Sequence, residues 1–527
     1  MLRIRQIKID VNNANIDNIK KEVAHKLKIN INDINDLKIN KESIDARKKP
    51  QISYIYEVDC SIKNEDYILK TNNSIDILKT PNEEYTVNVT GTKEIINRPI
   101  IVGAGPAGLF AALNLARMGY KPLIIERGES IPERKKTVNL FWETNKLNPN
   151  SNIQFGEGGA GTFSDGKLNT MVKDPDHRCK EVFRTFVRCG ADPKILYVNK
   201  PHIGTDILEK VIVNLRNEII RLGGEIRYNT CLTNIYTNNN EITKIEVNND
   251  EIIDTNLIVL AIGHSARDTF YMLKDKLTME PKPFAVGVRI SHPQTMINKS
   301  QYGVEKHNIL ENADYKLTYQ TKEKRGVYTF CMCPGGYVVN SSSEANMLAI
   351  NGMSYSKRDS INANSAVLVT ITPKDFGNDV TSGIEFQRQL ESKAYNIGKG
   401  LIPIQLFKDY KNNVITKSLG DVEPLFKGNY TLSNLNDIFP EYINSALKEG
   451  IDAFGLKIKG FNRDDAILAG VESRTSSPLK IIRDEELISN ITGLYPCGEG
   501  AGYAGGITSA SMDGLRVSEA IMMKYHN

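Results

Sequence analysis

The chain has 527 residues, 40% of them hydrophobic and 25% charged, which suits a folded protein of several domains with cores large enough to need neither disulfides nor a structural metal. With 67 basic and 63 acidic side chains, the formal net charge of +4 is too even to point to a nucleic-acid or membrane partner. The seven cysteines are odd in number and show no C-x-x-C spacing, which excludes zinc-ribbon, iron–sulfur and thioredoxin-type sites and suits a reduced, cytoplasmic protein.

In chain order, residues 1–95 read as a small α+β module. A strand is expected over 3–11, where apolar and charged residues alternate, so the start reads as a strand rather than a signal peptide. A helix follows over 16–27, then strands over 36–44 and 52–62 around a basic turn at Arg47–Pro50, then a short helical segment at 65–69. Glycine, proline and asparagine between 72 and 91 mark a linker. Residues 96–280 alternate strand and helix: strand 99–102, helix 107–118, strand 122–126, helix 205–222, then strands 225–228, 242–248 and 257–261. Residues 281–460 are richer in strands (284–291, 327–332, 337–340, 366–372), followed by helices at 385–398 and 441–454. Residues 461–527 return to a glycine turn and a helix from about 507 to 524. The expected fold class is α/β: a Rossmann-like domain split by a β-rich α+β insertion, with a small N-terminal α+β domain.

The strongest motif is Gly103-x-Gly105-x-x-Gly108, between an apolar strand and a helix, with Glu126 at the end of the next strand. That context is the dinucleotide-binding fingerprint. Gly103 permits the tight turn, Gly105 opens the helix N-terminus to a pyrophosphate, and Gly108 lets helix and strand approach closely. Glu126 is placed to accept hydrogen bonds from an adenosine ribose. The fingerprint also explains the uncharged run 99–116, whose length approaches a membrane span, as a buried strand and its packed helix.

The fingerprint serves NAD and FAD alike, and the C-terminal run 493–511 decides between them. A strand there delivers Glu499 towards a flavin ribityl chain. The glycines then open a helix whose N-terminus would stabilise negative charge on a reduced flavin.

These two motifs together resemble the two-part FAD site of the glutathione-reductase-like flavoproteins. More narrowly, the segments 155–168, 329–336, 351–354 and 472–478 resemble a poorly characterised bacterial group of FAD-dependent dehydrogenases or oxidoreductases, over roughly residues 96–527. The resemblance implies non-covalent FAD and no particular substrate. It places Gly103, Gly105, Pro106, Ala107, Gly108, Glu126 and Arg127 at the adenosine end, with Arg134 reaching the pyrophosphate and Leu232 beside the adenine. Ala261 and Gly263 take the place of the usual A-T-G turn, with isoleucine where threonine is usual. Gly161, Thr162, Gly166, Lys167, Gly498, Glu499, Gly506 and Ile507 fall at the flavin end.

For the reaction, Lys167 and Arg474 are the candidate catalytic cations, facing an anionic substrate or the flavin N1. His202, His264 and His292 are candidate proton donors that no spacing separates. Cys331-x-Cys333 is read chiefly as structural, because residues two apart on a strand sit at or beyond disulfide reach. No second glycine fingerprint follows, so a dedicated NAD(P)H domain is not expected, although NAD(P)H can dock transiently as an electron donor. The function expected is hydride transfer between flavin N5 and a small molecule, with no metal, nucleic-acid or membrane partner. The alternatives are a flavin monooxygenase, a flavin-dependent tRNA-modifying enzyme, and a flavin redox sensor whose N-terminal module binds a partner.

Overall fold

In the computed structural model, which describes residues 1–527, the first strand (Leu2–Asp10) buries Leu2, Ile4, Ile7 and Ile9 in a single core. The apolar spacing changes from two to three after Ile4. A bulge absorbs the extra residue there, with Gln6 at a φ of 56°. The strand lies in a four-stranded antiparallel sheet ordered Ile34–Asp45, Ser53–Ile62, Leu2–Asp10, Ile77–Lys79. Helix Ile16–Leu27 covers this sheet, with Ile19, Val23 and Leu27 buried at helical spacing. The module docks on the rest of the chain through a backbone bridge, Glu42 N–H to the Tyr197 carbonyl (2.8 Å) and Asn199 N–H to the Glu42 carbonyl (2.8 Å).

The central sheet has five parallel strands in the order Leu494–Pro496, Ile258–Leu260, Ile100–Val102, Leu123–Ile125, Glu225–Arg227. The C-terminal strand therefore completes a sheet begun almost four hundred residues earlier in the chain. Helix Pro106–Arg117 buries every residue from Ala107 to Ala116 and packs against helix Ile507–Lys524. Their contact is close enough that a Cβ on Gly514 would lie 2.2 Å from the Ala107 carbonyl oxygen. No helix is long and apolar enough to cross a membrane.

Above the open end of this sheet stands a seven-stranded roof sheet. Its order is Thr318–Gln320, Gly326–Cys333, Asn362–Ile371, Phe284–Pro293, Ile467–Glu472, Ile402–Leu406, Tyr430–Leu432. Helices Ser382–Gly398 and Glu441–Gly455 close the roof's own core, which includes Val286, Val367, Leu447 and Phe454. The boundary expected at 460 falls too early. Strand Ile467–Glu472 pairs with Phe284–Pro293 and Ile402–Leu406, so the roof runs on to about 472 before the chain returns to the central sheet.

Candidate active site

The carboxyl ends of the central strands open into a cavity of about 530 Å³ beneath the roof. Ligands bind at that end of such sheets, because the glycine turn and the helix N-terminus both face it. Strand Ile100–Val102 ends at Gly103, whose φ is 103° and whose missing Cβ would lie 2.4 Å from the Ala261 carbonyl oxygen. At Gly108 a Cβ would come within 2.0 Å of the Gly103 carbonyl oxygen, so this glycine closes the turn from behind and does not line the cavity. Gly105, Pro106 and Ala107 do line it. The nearest atom to a Cβ on Gly105 is the Gly159 Cα, 3.9 Å away, which leaves the mouth of the helix open.

Glu126 is buried at the end of strand Leu123–Ile125 and lines the same cavity. Its carboxylate accepts backbone N–H groups from Ala104 (2.8 Å), Gly128 (2.9 Å) and Gly156 (2.9 Å). A carboxylate has about four acceptor sites, so one remains for a ribose hydroxyl. Arg127 lies over the Phe155 ring at 4.4 Å and donates to Asp268, beside Leu232, Ala261 and Gly263 in the wall. A Cβ on Gly263 would meet nothing within 4 Å, as expected of a cradle shaped for a bound group.

Arg134 does not reach this space. It is wholly buried and donates to the carbonyls of Asn152, Ile153, Gly156, Glu157 and Gly159, at 2.7–3.3 Å. Burial pushes its pKa down to about 10, and its donors tie down the glycine loop instead of a phosphate. Thr162 and Gly498 also stand behind the wall. Thr162 is buried with its carbonyl on Thr205 Oγ1 (2.6 Å), and the Gly498 N–H donates to Asp513 (2.8 Å).

At the other end Gly161, Gly166, Glu499, Gly506 and Ile507 line the cavity, and the N-terminus of helix Ile507–Lys524 opens onto it. Lys167 and Arg474 line it too, and each is paired with a carboxylate. Lys167 pairs with Asp165 (3.0 Å) and donates to the Met332 carbonyl. Burial alone would push the Asp165 carboxyl up; Lys167 and Arg358 outweigh that and hold it at about 2. Arg474 forms a two-toothed pair with Glu391 (2.9 and 3.0 Å), which Arg267 grips from the other side (2.8 and 2.9 Å). Both cations expected to meet substrate are thus spent within the protein, because each landed beside a buried carboxylate whose desolvation it offsets.

The residue that sequence reasoning left undecided is His264. His292 is sealed in the roof core against Phe461, and His202 bonds the Ser356 carbonyl (3.2 Å) away from the cavity. His264 alone of the three lines the cavity. Its Nδ1 lies 3.2 Å from Glu499, and its Nε2 is buried without any partner. The signal available in sequence was its place just beyond strand Ile258–Leu260, at the ligand-binding end of a parallel sheet.

A second cavity, of about 1090 Å³, lies where the N-terminal module meets the body. Tyr54, Tyr56, His202 and Tyr302 line it, and Lys200 and Asp314 border both cavities.

Comparison with known proteins agrees with this architecture. Residues 283–475 match the family described as FAD-dependent protein, C-terminal domain-like. Residues 101–133 match an NAD(P)-binding Rossmann-like domain, and residues 1–61 match a domain of unknown function. An uncharacterized protein of Clostridium beijerinckii is 47% identical over 531 residues, covering 99% of each chain. The chain belongs to the same family, one of FAD-dependent proteins.

Among solved structures, the glycine oxidase of Bacillus cereus shares 11% identity over 82% of this chain and 98% of its own, with a TM-score of 0.35. The FAD complex of glycerol-3-phosphate dehydrogenase from Bacillus halodurans shares 10% over 82% and 65%, with a TM-score of 0.34. Likeness at that level decides nothing about function. The cavity itself fits the cofactor: an open glycine cradle, two helix N-termini and an unpartnered buried imidazole nitrogen.

Proposed function

We propose that the protein is an FAD-dependent oxidoreductase that transfers a hydride between the flavin N5 and a small molecule held beneath the roof sheet. One observation carries the reading: a single cavity joins the N-termini of helices Pro106–Arg117 and Ile507–Lys524 to the underside of the roof. Bound FAD would supply two-electron chemistry that side chains lack.

The chain's own residues hold and orient. The first helix N-terminus suits a pyrophosphate, since its first-turn N–H groups have no intrahelical acceptor. Glu126 keeps one acceptor site for the ribose, and Glu499 lies where a ribityl hydroxyl would be bound. The second helix N-terminus favours negative charge at the pyrimidine edge. This two-part arrangement resembles that expected of the glutathione-reductase-like flavoproteins. His264, steadied at Nδ1 by Glu499, is the group placed to hold or deliver a proton at Nε2. It replaces Lys167 and Arg474 as the candidate catalytic residue. NAD(P)H is a candidate donor that would dock only transiently on the flavin face.

The test is spectroscopic. The purified protein, or protein reconstituted with FAD, should show a flavin absorption spectrum with FAD released on denaturation. Anaerobic addition of candidate donors should then bleach that spectrum for the true substrate. Absence of any flavin after reconstitution would end the reading.

A further inference from the structure

Cys331 and Cys333 lie at the end of the roof strand Gly326–Cys333, and Cys331 lines the cavity while Cys333 is wholly buried behind it. In an ideal strand two such residues have Cα atoms about 6.6 Å apart, at the outer edge of disulfide reach. This strand is not ideal at that point. Its register against Asn362–Ile371 slips between Phe330 and Cys333, and Cys331 has a φ of 43°. A left-handed backbone at a residue other than glycine costs about 1–2 kcal/mol, and such strain gathers at functional sites. The two side chains meet there, the Cys333 thiol hydrogen-bonding the Cys331 sulfur. Cys333 Sγ turns back to within 3.3 Å of the Cys331 carbonyl oxygen.

Two cations frame the pair. Arg289 donates to the Cys331 carbonyl (3.0 Å), and Lys167 donates to the Met332 carbonyl. Arg289 is fully buried and fixed by Glu472 (2.8 and 2.9 Å) and Asn364 (2.8 Å). Room for it exists because residue 352 is glycine, where a Cβ would lie 2.2 Å from the guanidinium.

We propose that Cys331 and Cys333 form a redox-active dithiol at the substrate end of the cavity, exchanging two electrons with the flavin. The flavin's part rests on the function proposed above; the cysteine pair's own chemistry does not. In the oxidising direction one S–S bond forms between Cys331 and Cys333. The Cys331 thiolate and Cys333 thiol give up two electrons and one proton, and the oxidised flavin takes all three to become its reduced monoanion. The reverse step restores the Cys331 thiolate and the Cys333 thiol. The thiols differ as such a step requires. Hydrogen bonding from Cys333 pulls the Cys331 thiol down, with Arg289 and Lys167 adding to the effect against burial, while Cys333 is pushed up. Burial pushes up the other five cysteines, Cys60, Cys179, Cys189, Cys231 and Cys497, so the pair stands apart.

Two measurements on the holoprotein test this. After mild oxidation with diamide, peptide mapping should find a single Cys331–Cys333 crosslink, lighter by two hydrogens, with the other five cysteines still alkylatable on unfolding. Anaerobic dithionite titration of the oxidised protein should consume two equivalents per flavin in the wild type and one in Cys333→Ser. If that variant fails to fold, the wild-type equivalents per flavin decide alone. Free thiols at both positions after oxidation would overturn the proposal. So would a crosslinked protein that takes up one equivalent. A preparation without flavin would defeat the proposed function, yet the crosslink would still be judged by mass.

Discussion

The two ends of the cavity are built from different materials. The glycine-turn end is mostly backbone: Gly103, Gly105 and Gly108 act through the Cβ they lack, and Glu126 is held by three N–H groups. The roof end is side chains brought from distant segments, among them Lys167, His264, Cys331 and Arg474. Lys167 and Arg474 at the roof end are each already paired with a carboxylate, Asp165 and Glu391, so a lone cation does not mark the working group there. What stands out is the group left without a partner, the Nε2 of His264.

The largest effect should come from breaking the backbone end. Gly105→Asp puts a carboxylate at the helix mouth, against both the space and the charge of a bound pyrophosphate. The folded protein should retain its far-ultraviolet circular dichroism and lose its flavin entirely. A Gly105→Asp protein that stays fully yellow would place the pyrophosphate elsewhere. His264→Gln attacks the other end and should behave in the opposite way. It should keep its flavin and lose about 10²- to 10⁴-fold in turnover, the usual contribution of a positioned proton carrier. Loss of flavin in this variant without loss of turnover per flavin would make the histidine a cofactor ligand only.

The same contrast explains what the sequence made legible. The turn was readable because its roles are local: strand, glycines, helix and acid occupy residues 100–126 in the order that the geometry needs. The Rossmann-like sheet and the strand-rich roof followed from the alternation of elements. The roof's end at Glu472 was missed because the strand Ile467–Glu472 belongs to a sheet whose other members lie earlier in the chain, and no local signal records that pairing. The partners of Arg134, Lys167 and Arg474 were not legible for one physical reason. A cation looks free in the sequence until its partner, a set of carbonyls or a distant carboxylate, is brought to it by folding.

Arg134 gives a test of intermediate size. Arg134→Met keeps the volume and removes the donors for five carbonyls. Leaving several buried acceptors unsatisfied at about 1–3 kcal/mol each should destabilise the protein by roughly 3 kcal/mol or more. The expected readout is a lower unfolding midpoint in denaturant for the flavin-free protein as well as for the loaded one. If only the loaded protein were affected, the arginine would be acting on the cofactor phosphates after all.

The smallest expected effect concerns Lys167, and its sign follows from Asp165. The folded-state pKa of that carboxyl is near 2, against 3.8 for the ordinary group, so its ionised form stabilises the fold by about 2 kcal/mol. A depressed carboxylate gives this stability in full above its unfolded pKa and loses it as the pH falls towards its folded pKa, here between about 4 and 2. Lys167→Met leaves Arg358 as the main counter-charge, while the burial that pushes the carboxyl up is unchanged. The folded pKa should therefore rise, and the acid-unfolding midpoint should move up by a few tenths to one pH unit, with little change at neutral pH. An unchanged acid midpoint would mean that Arg358 alone holds Asp165. Lys167 would then be available to the cavity, as its place in a glycine-rich segment first suggested.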